Sequence, residues 1–212
     1  MRPEEAQWIG ATLAALQDIS PVLELGSSTL EFRTVGKPHI DRFVHAPLRE
    51  RGVRIVTADL KEGDGIEISG NFYEPRIEAR LRAVGAKAIL CCNIFEHLED
   101  RAAFAAKCDD LLPAEGFIVV TVPYSYPLHY DPIDTYFRPT PAGVAALFPR
   151  YRVVHQAVIE SSDRFDPIEV VRTIVKSAIL RGGLQKTKAR LHRLLWLFRP
   201  YKISAVVLQK PA

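Results

Sequence analysis

Four short apolar runs, VLEL at 22–25, VRIVTA at 53–58, AKAILCC at 86–92 and FIVVTV at 117–122, punctuate the first part of the chain with little polar alternation. A strand with one face in water alternates apolar and polar side chains, so near-continuous apolar strands need cover on both faces. That is the condition of a parallel sheet between helical layers. The intervening segments supply the helices. EPRIEARLRAVG at 74–85 ends at Gly85, and EDRAAFAAKCDDLL at 99–112 carries Ala103, Phe104, Leu111 and Leu112 at near-helical spacing before Pro113 and Gly116. Strand, helix and strand in this order make a βαβ crossover, and the repeated pattern predicts an α/β, doubly wound, Rossmann-like and mostly parallel sheet. The 212 residues suffice for a single domain spanning 1–212.

Beyond the fourth strand the chain changes character. SYPLHYDPIDTYFRPTP at 125–141 fits neither the helical nor the strand period and reads as a long ordered loop, placed where parallel sheets put their sites. Thr140 is positioned to cap a short helix, PAGVAALF, before a strand at 151–160. Residues 165–199 read as two basic helices split at Gly182 and Gly183, within a basic helical insertion at 161–202, and a last strand covers 203–209. Charge is divided accordingly. Up to Glu169 there are 18 Lys and Arg against 25 Asp and Glu, whereas from Val170 onward there are 10 basic residues and no acid. A segment so one-sided suggests an anionic partner. No basic-then-apolar leader opens the chain and no apolar stretch reaches the roughly 20 residues of a bilayer span, so a cytoplasmic protein is expected. Cys91, Cys92 and Cys108 lack CxxC spacing and read as reduced core residues.

Chemistry concentrates at the carboxyl ends of the strands. In VLELGSSTLEF a buried strand ends at Gly26 and meets small polar residues, allowing a sharp turn that presents amides or hydroxyls to a ligand. A GxGxxG fingerprint would require further glycines, and Ser28 stands in the first of those positions, so an ordinary strand-to-loop turn is an equal reading. The second strand delivers Asp59, an acid able to accept both hydroxyls of a ribose, although it lies 33 residues beyond Gly26 rather than the usual ~20. Asp41 is nearer but lies in a segment interrupted by Pro38 and Pro47. Ser69, Gly70, Asn71 and Phe72 follow a short strand at 66–68, and an amide beside an aromatic face suits an adenine. Asn93 to His97 close the fourth edge, where helix capping explains Asn93 and Glu99 equally well.

With these four edges in order, the chain resembles class I S-adenosylmethionine-dependent methyltransferases, and more closely the small type 11 branch linked to bacterial surface-glycan synthesis. The matching pieces are VLELGSS, VTADLKEGDGIEISGNF, ILCCNIFEHLED and DLLPAEGFIVVTVPYSYPLHYDPIDTYFRPTP, covering 22 to about 160. The resemblance implies S-adenosyl-L-methionine as cofactor. Glu24, Gly26, Ser27 and Ser28 would lie against its methionine part, Asp59 would hold its ribose, Asn71 and Phe72 would flank its adenine, Asn93 would close the site, and Leu60 belongs to the same cofactor-binding set. Two departures stand out: the first loop keeps one glycine, and Asn71 replaces the usual acid beside the adenine.

Methyl transfer to a hydroxyl needs alignment and a base. His97 and His129, with Asp131 beside the latter, are the candidate catalytic residues, since imidazole accepts protons near neutrality. Each histidine reads alternatively as a loop-ordering hydrogen bond, and Asp134 with Arg138 as an ion pair. Nothing fixes a metal-ligand geometry, so no metal is expected. The resemblance implies O-methylation of a saccharide or lipid-linked glycan precursor, and the sparse glycines leave an inactive, methyltransferase-like scaffold as the alternative. In KTKARLHRLLWLF at 186–198, Leu191, Leu194, Leu195 and Phe198 share one face. This helix and the residues to 202 suit peripheral contact with anionic lipid at the inner membrane face, or packing on the sheet or on a second subunit of a homodimer. Basic residues without interleaved aromatics give no expectation of nucleic acid.

Overall fold

A computed structural model describes residues 1–128, 133–162 and 199–212. One sheet of seven strands runs through it, comprising β1 (Val22–Leu25), β2 (Ile55–Asp59), β3 (Ile68–Ser69), β4 (Ala88–Cys92), β5 (Phe117–Ser125), β6 (Arg152–Glu160) and β7 (Lys202–Gln209). Their order is β3-β2-β1-β4-β5-β7-β6. The first five pair in parallel, and β7 runs antiparallel between β5 and β6. Both faces of the parallel strands are apolar, as their sequences require. Leu23, Leu25, Ile89, Cys91, Ile118 and Val120 pack with α4 (Pro75–Ala83) and α5 (Arg101–Leu111) on one side. Val22, Leu90, Val119 and Val207 meet α1 (Pro3–Ala15) and the helical segment around Leu48 on the other. The sheet reverses its order between β1 and β4, which opens a crevice at their carboxyl ends.

The connection from β1 to β2 is helical rather than broken. Pro38 opens α2 (Pro38–Ile40), where the missing N–H has no intrahelical partner to lose, and Pro47 sits in α3 (Ala46–Glu50) where it continues from the preceding helical turn. Two π-helical turns, Phe32–Gly36 and Asp41–His45, complete the winding. This long crossover accounts for the wide spacing between Gly26 and Asp59. The fourth apolar run also extends further than its pattern suggests. It continues through Pro123 to Ser125, and the pairing with β7 shifts there, the kind of irregularity at which a strand tolerates proline. Thr140 caps α6 (Pro141–Ala145) by accepting from the Gly143 amide. Among the described residues, no helix is long and apolar enough to cross a membrane. The basic helices read at 165–199, and with them most of the insertion at 161–202, lie outside the described residues.

Helix α1 lies close against the Asp41–His45 turn. A Cβ at Gly10 would stand 2.0 Å from the Phe43 carbonyl oxygen, a backbone atom that cannot swing aside. Gly10→Ala must therefore separate the two helical segments, and urea denaturation is expected to show a loss of about 1–3 kcal/mol. Unchanged stability would mean that α1 is not docked this tightly.

Candidate functional site

The turn after β1 is held from three sides. Gly26, at φ 72°, gives its amide to Ala58 O at 2.8 Å, and the Ser27 amide reaches the same oxygen at 3.1 Å. Gly26 is required twice over, by its left-handed backbone and because a Cβ would lie 2.9 Å from Ile94 Cδ1. Ser28, at φ 59°, is also left-handed, a conformation that costs a side-chain-bearing residue about 1 kcal/mol. The surroundings hold it there. Its amide donates to Asp59 Oδ2 at 2.7 Å, while Asp59 Oδ1 accepts from Lys61 N at 3.2 Å.

Beneath the turn lies Arg33, buried at 4% exposure. Its guanidinium donates to Ser27 O at 3.2 Å, Ser28 O at 2.7 Å and Gly65 O at 2.9 Å. The facing loop closes the arrangement. Leu30 N donates to Asp64 O at 2.8 Å, and Cβ atoms at Gly63 and Gly65 would lie 2.6 Å from Thr29 Cγ2 and Leu30 Cβ. Close loop approach is thus made possible by glycines of the loop after β2, and not by extra glycines in the first turn. Sequence reasoning missed Arg33, Gly63 and Gly65; the GDG spacing at 63–65 was the available signal.

The remaining predicted residues are distributed around the same edge. Glu24 is buried on β1 with His45 Nε2 3.1 Å from its Oε2, without the alignment of a hydrogen bond. Leu60 follows Asp59 and is 70% exposed. Asn71 Oδ1 accepts from Tyr73 N at 3.1 Å, and Phe72 packs partly on the core. Asn93, at φ 56°, ends β4 and donates to Glu5 Oε1 at 2.7 Å. That oxygen also accepts from Thr121 Oγ1 at 2.6 Å, and Glu5 Oε2 takes the Arg2 amide at 3.0 Å. Helix α1 is thereby tied to the end of β4 and the middle of β5, a role for Glu5 that nothing in its local sequence announces.

His97 ends a single 3₁₀ turn and bonds through Nδ1 to Ile133 O. Its neighbour Glu96 receives the Thr135 amide and hydroxyl on its backbone oxygen, both at 2.9 Å. These bonds dock residues 133–135 on the β4 edge. Asp134 and Arg138 form a buried pair, with Arg138 Nη2 2.6 Å from Asp134 Oδ2. His129 and Asp131 lie outside the described residues. Tyr124 and Tyr136 are exposed beside this loop.

Glu96 has a further property. Its side chain is fully buried, and among the described residues its carboxyl oxygens have no hydrogen-bond partner, so burial pushes its pKa up to about 8. An unfolded chain releases that proton near 4.5. Between these values the native state alone holds the proton, so stability falls as pH rises, by at most about 1.4 kcal/mol per unit. Denaturation at intervals from pH 5 to 8 is expected to show this slope in the wild type and its loss in Glu96→Gln. Parallel slopes would show that Glu96 is ionised throughout.

No protein-family profile and no curated protein matches the chain. Among solved structures it is similar to the MccD protein, with 15% identity, 99% of this chain and 100% of that chain covered, and a TM-score of 0.54. It is also similar to a SAM-dependent methyltransferase from Archaeoglobus fulgidus, at 14% identity, 97% and 93% coverage and a TM-score of 0.52. For coclaurine N-methyltransferase bound to N-methylheliamine and SAH the values are 14%, 98% and 70%, and 0.50. The fold is the Rossmann-like, mostly parallel α/β fold shared with class I methyltransferases.

Proposed function

We propose that the chain is an S-adenosylmethionine-dependent methyltransferase. The observation that carries this reading is the crevice edge where a left-handed Gly26 turn, the Asp59 carboxylate and an exposed apolar residue, Leu60, stand on adjacent strands. The residues fit the cofactor. A Cβ is excluded at Gly26, Asp59 retains lone pairs beyond the two amides it accepts, and Leu60 offers an apolar face. Gly26, Ser27, Ser28 and Glu24 would hold the methionine part, Asp59 and Leu60 the ribose, and Asn71, Phe72 and Asn93 the remainder. When bound, the cofactor supplies an electrophilic methyl group on a sulfonium. The protein's part is to align an acceptor and to remove its proton.

For the acceptor we infer a hydroxyl of a saccharide or lipid-linked glycan precursor. Exposed Tyr124 and Tyr136 support this, since aromatic faces suit sugar rings, and His129, His97 and Asp131 are the residues assigned to the proton. The acid-free, basic stretch from Val170 onward supports peripheral contact with an anionic membrane face or a second subunit. One observation favours the alternative of a binding or scaffold protein: both Asp59 oxygens already accept backbone amides. Calorimetric titration with S-adenosylhomocysteine (SAH) separates the two. Micromolar binding, about −8 kcal/mol, is expected; absence of heat together with absence of a thermal shift would leave the scaffold reading.

A further inference from the structure

We propose that Arg33 is a positioning residue for ligand binding, performing the work that additional glycines would otherwise do in the first turn. This rests on the methyltransferase reading of the same crevice. A glycine-rich turn reaches its shape because its backbone is unrestricted. Here the shape is imposed on serine. The guanidinium holds the carbonyls of Ser27 and Ser28 and ties both to Gly65 O on the facing loop. Because a trans peptide places its N–H opposite its C=O, fixing these two carbonyls also fixes the amides of Ser28 and Thr29, which point away from Arg33. Ser28 N–H goes to Asp59. Among the described residues Thr29 N–H has no acceptor, and it stands one residue past the left-handed Ser28, in the turn that follows the carboxyl end of β1. An oriented, unpaired amide there is a donor for a ligand oxygen, and the anionic oxygen available on the cofactor is the carboxylate of its methionine part.

Three carbonyls from two loops match a planar guanidinium with its spread of donors, and do not match a compact ammonium. Arg33→Lys keeps the charge and loses the geometry. The test is calorimetric titration of wild type, Arg33→Lys and Arg33→Met with SAH and with 5′-methylthioadenosine, which lacks the amino-acid carboxylate. Thermal unfolding and amide exchange at Ser28, whose amide is bonded to Asp59, accompany each titration. The expected result is a tenfold or greater loss of SAH affinity in Arg33→Lys, little change for methylthioadenosine, and faster exchange at the Ser28 amide while the rest of the protein stays protected. Equal losses for both ligands would overturn the carboxylate assignment. Unchanged SAH affinity would overturn the positioning role and leave the methyltransferase reading standing. A wild type that binds neither ligand would remove that reading and this inference with it, whereas amide exchange would still report whether Arg33 shapes the turn.

Discussion

Asp59→Ala is expected to weaken SAH binding at least tenfold, about 1.4 kcal/mol, while the protein still unfolds in a single cooperative transition. Two losses combine. The carboxylate would no longer be available to a ribose, and the Ser28 amide, now paired with Asp59 Oδ2 at 2.7 Å, would lose its partner next to a backbone already held in the left-handed region. Asp59→Asn separates them, since an amide oxygen can still accept from Ser28 but accepts fewer bonds in total and carries no charge. Its expected affinity lies between those of wild type and Asp59→Ala. Titration of the three proteins, each checked by thermal unfolding, decides the matter. Equal affinities would show that Asp59 serves the turn alone and that the ligand lies elsewhere.

Where the pattern of apolar residues was strong, the sequence was a good guide. Continuous apolar runs can be buried on both faces only, so β1, β2, β4 and β5 and their parallel pairing followed from them, as did α4 and α5 between. Asp59 and Gly26 could be placed because strand ends are marked by a change from apolar to small or acidic residues. The rest depends on distance through space. Arg33 reaches carbonyls five and six positions earlier and one that is 32 positions later, a relation no local period encodes. The atoms that require Gly63 and Gly65, on Thr29 and Leu30, belong to another loop. Glu5 lies in the first turn of α1, and its carboxylate accepts from Asn93 and Thr121 across 88 and 116 positions. The prolines at 38 and 47 misled for a different reason: Pro38 begins a helix at its first turn, and Pro47 lies where the π-helical turn Asp41–His45 passes into α3, so neither interrupts the winding.

The largest expected effect on stability comes from the loop that carries the aromatic residues. Arg138 and Asp134 are four residues apart, with side chains 8% and 0% exposed, and are joined in the two-bond manner of a fork, Nη1 to Oδ1 at 3.1 Å and Nη2 to Oδ2 at 2.6 Å. Arg138 also donates to Tyr126 O, Pro127 O and Phe137 O, and Asp134 Oδ1 accepts from Tyr136 N at 2.8 Å. Removing only the cation leaves a carboxylate out of water without its counter-charge, so Arg138→Met is expected to cost about 3–5 kcal/mol. The double change Arg138→Met, Asp134→Leu should cost less than the single one, because no uncompensated charge is left behind. Urea denaturation of both variants measures this. A single variant within about 1 kcal/mol of wild type would mean that solvent reaches the pair and that it does not fix the loop. The cost should also depend on pH in one direction. Arg138 lies near enough to Glu96 to favour its ionised form against burial, so without Arg138 the Glu96 proton is held to still higher pH. The deficit of Arg138→Met should therefore widen as pH is raised through about 8, and in a Glu96→Gln background that widening should disappear, which would tie the loop's ion pair to the buried acid at the end of β4.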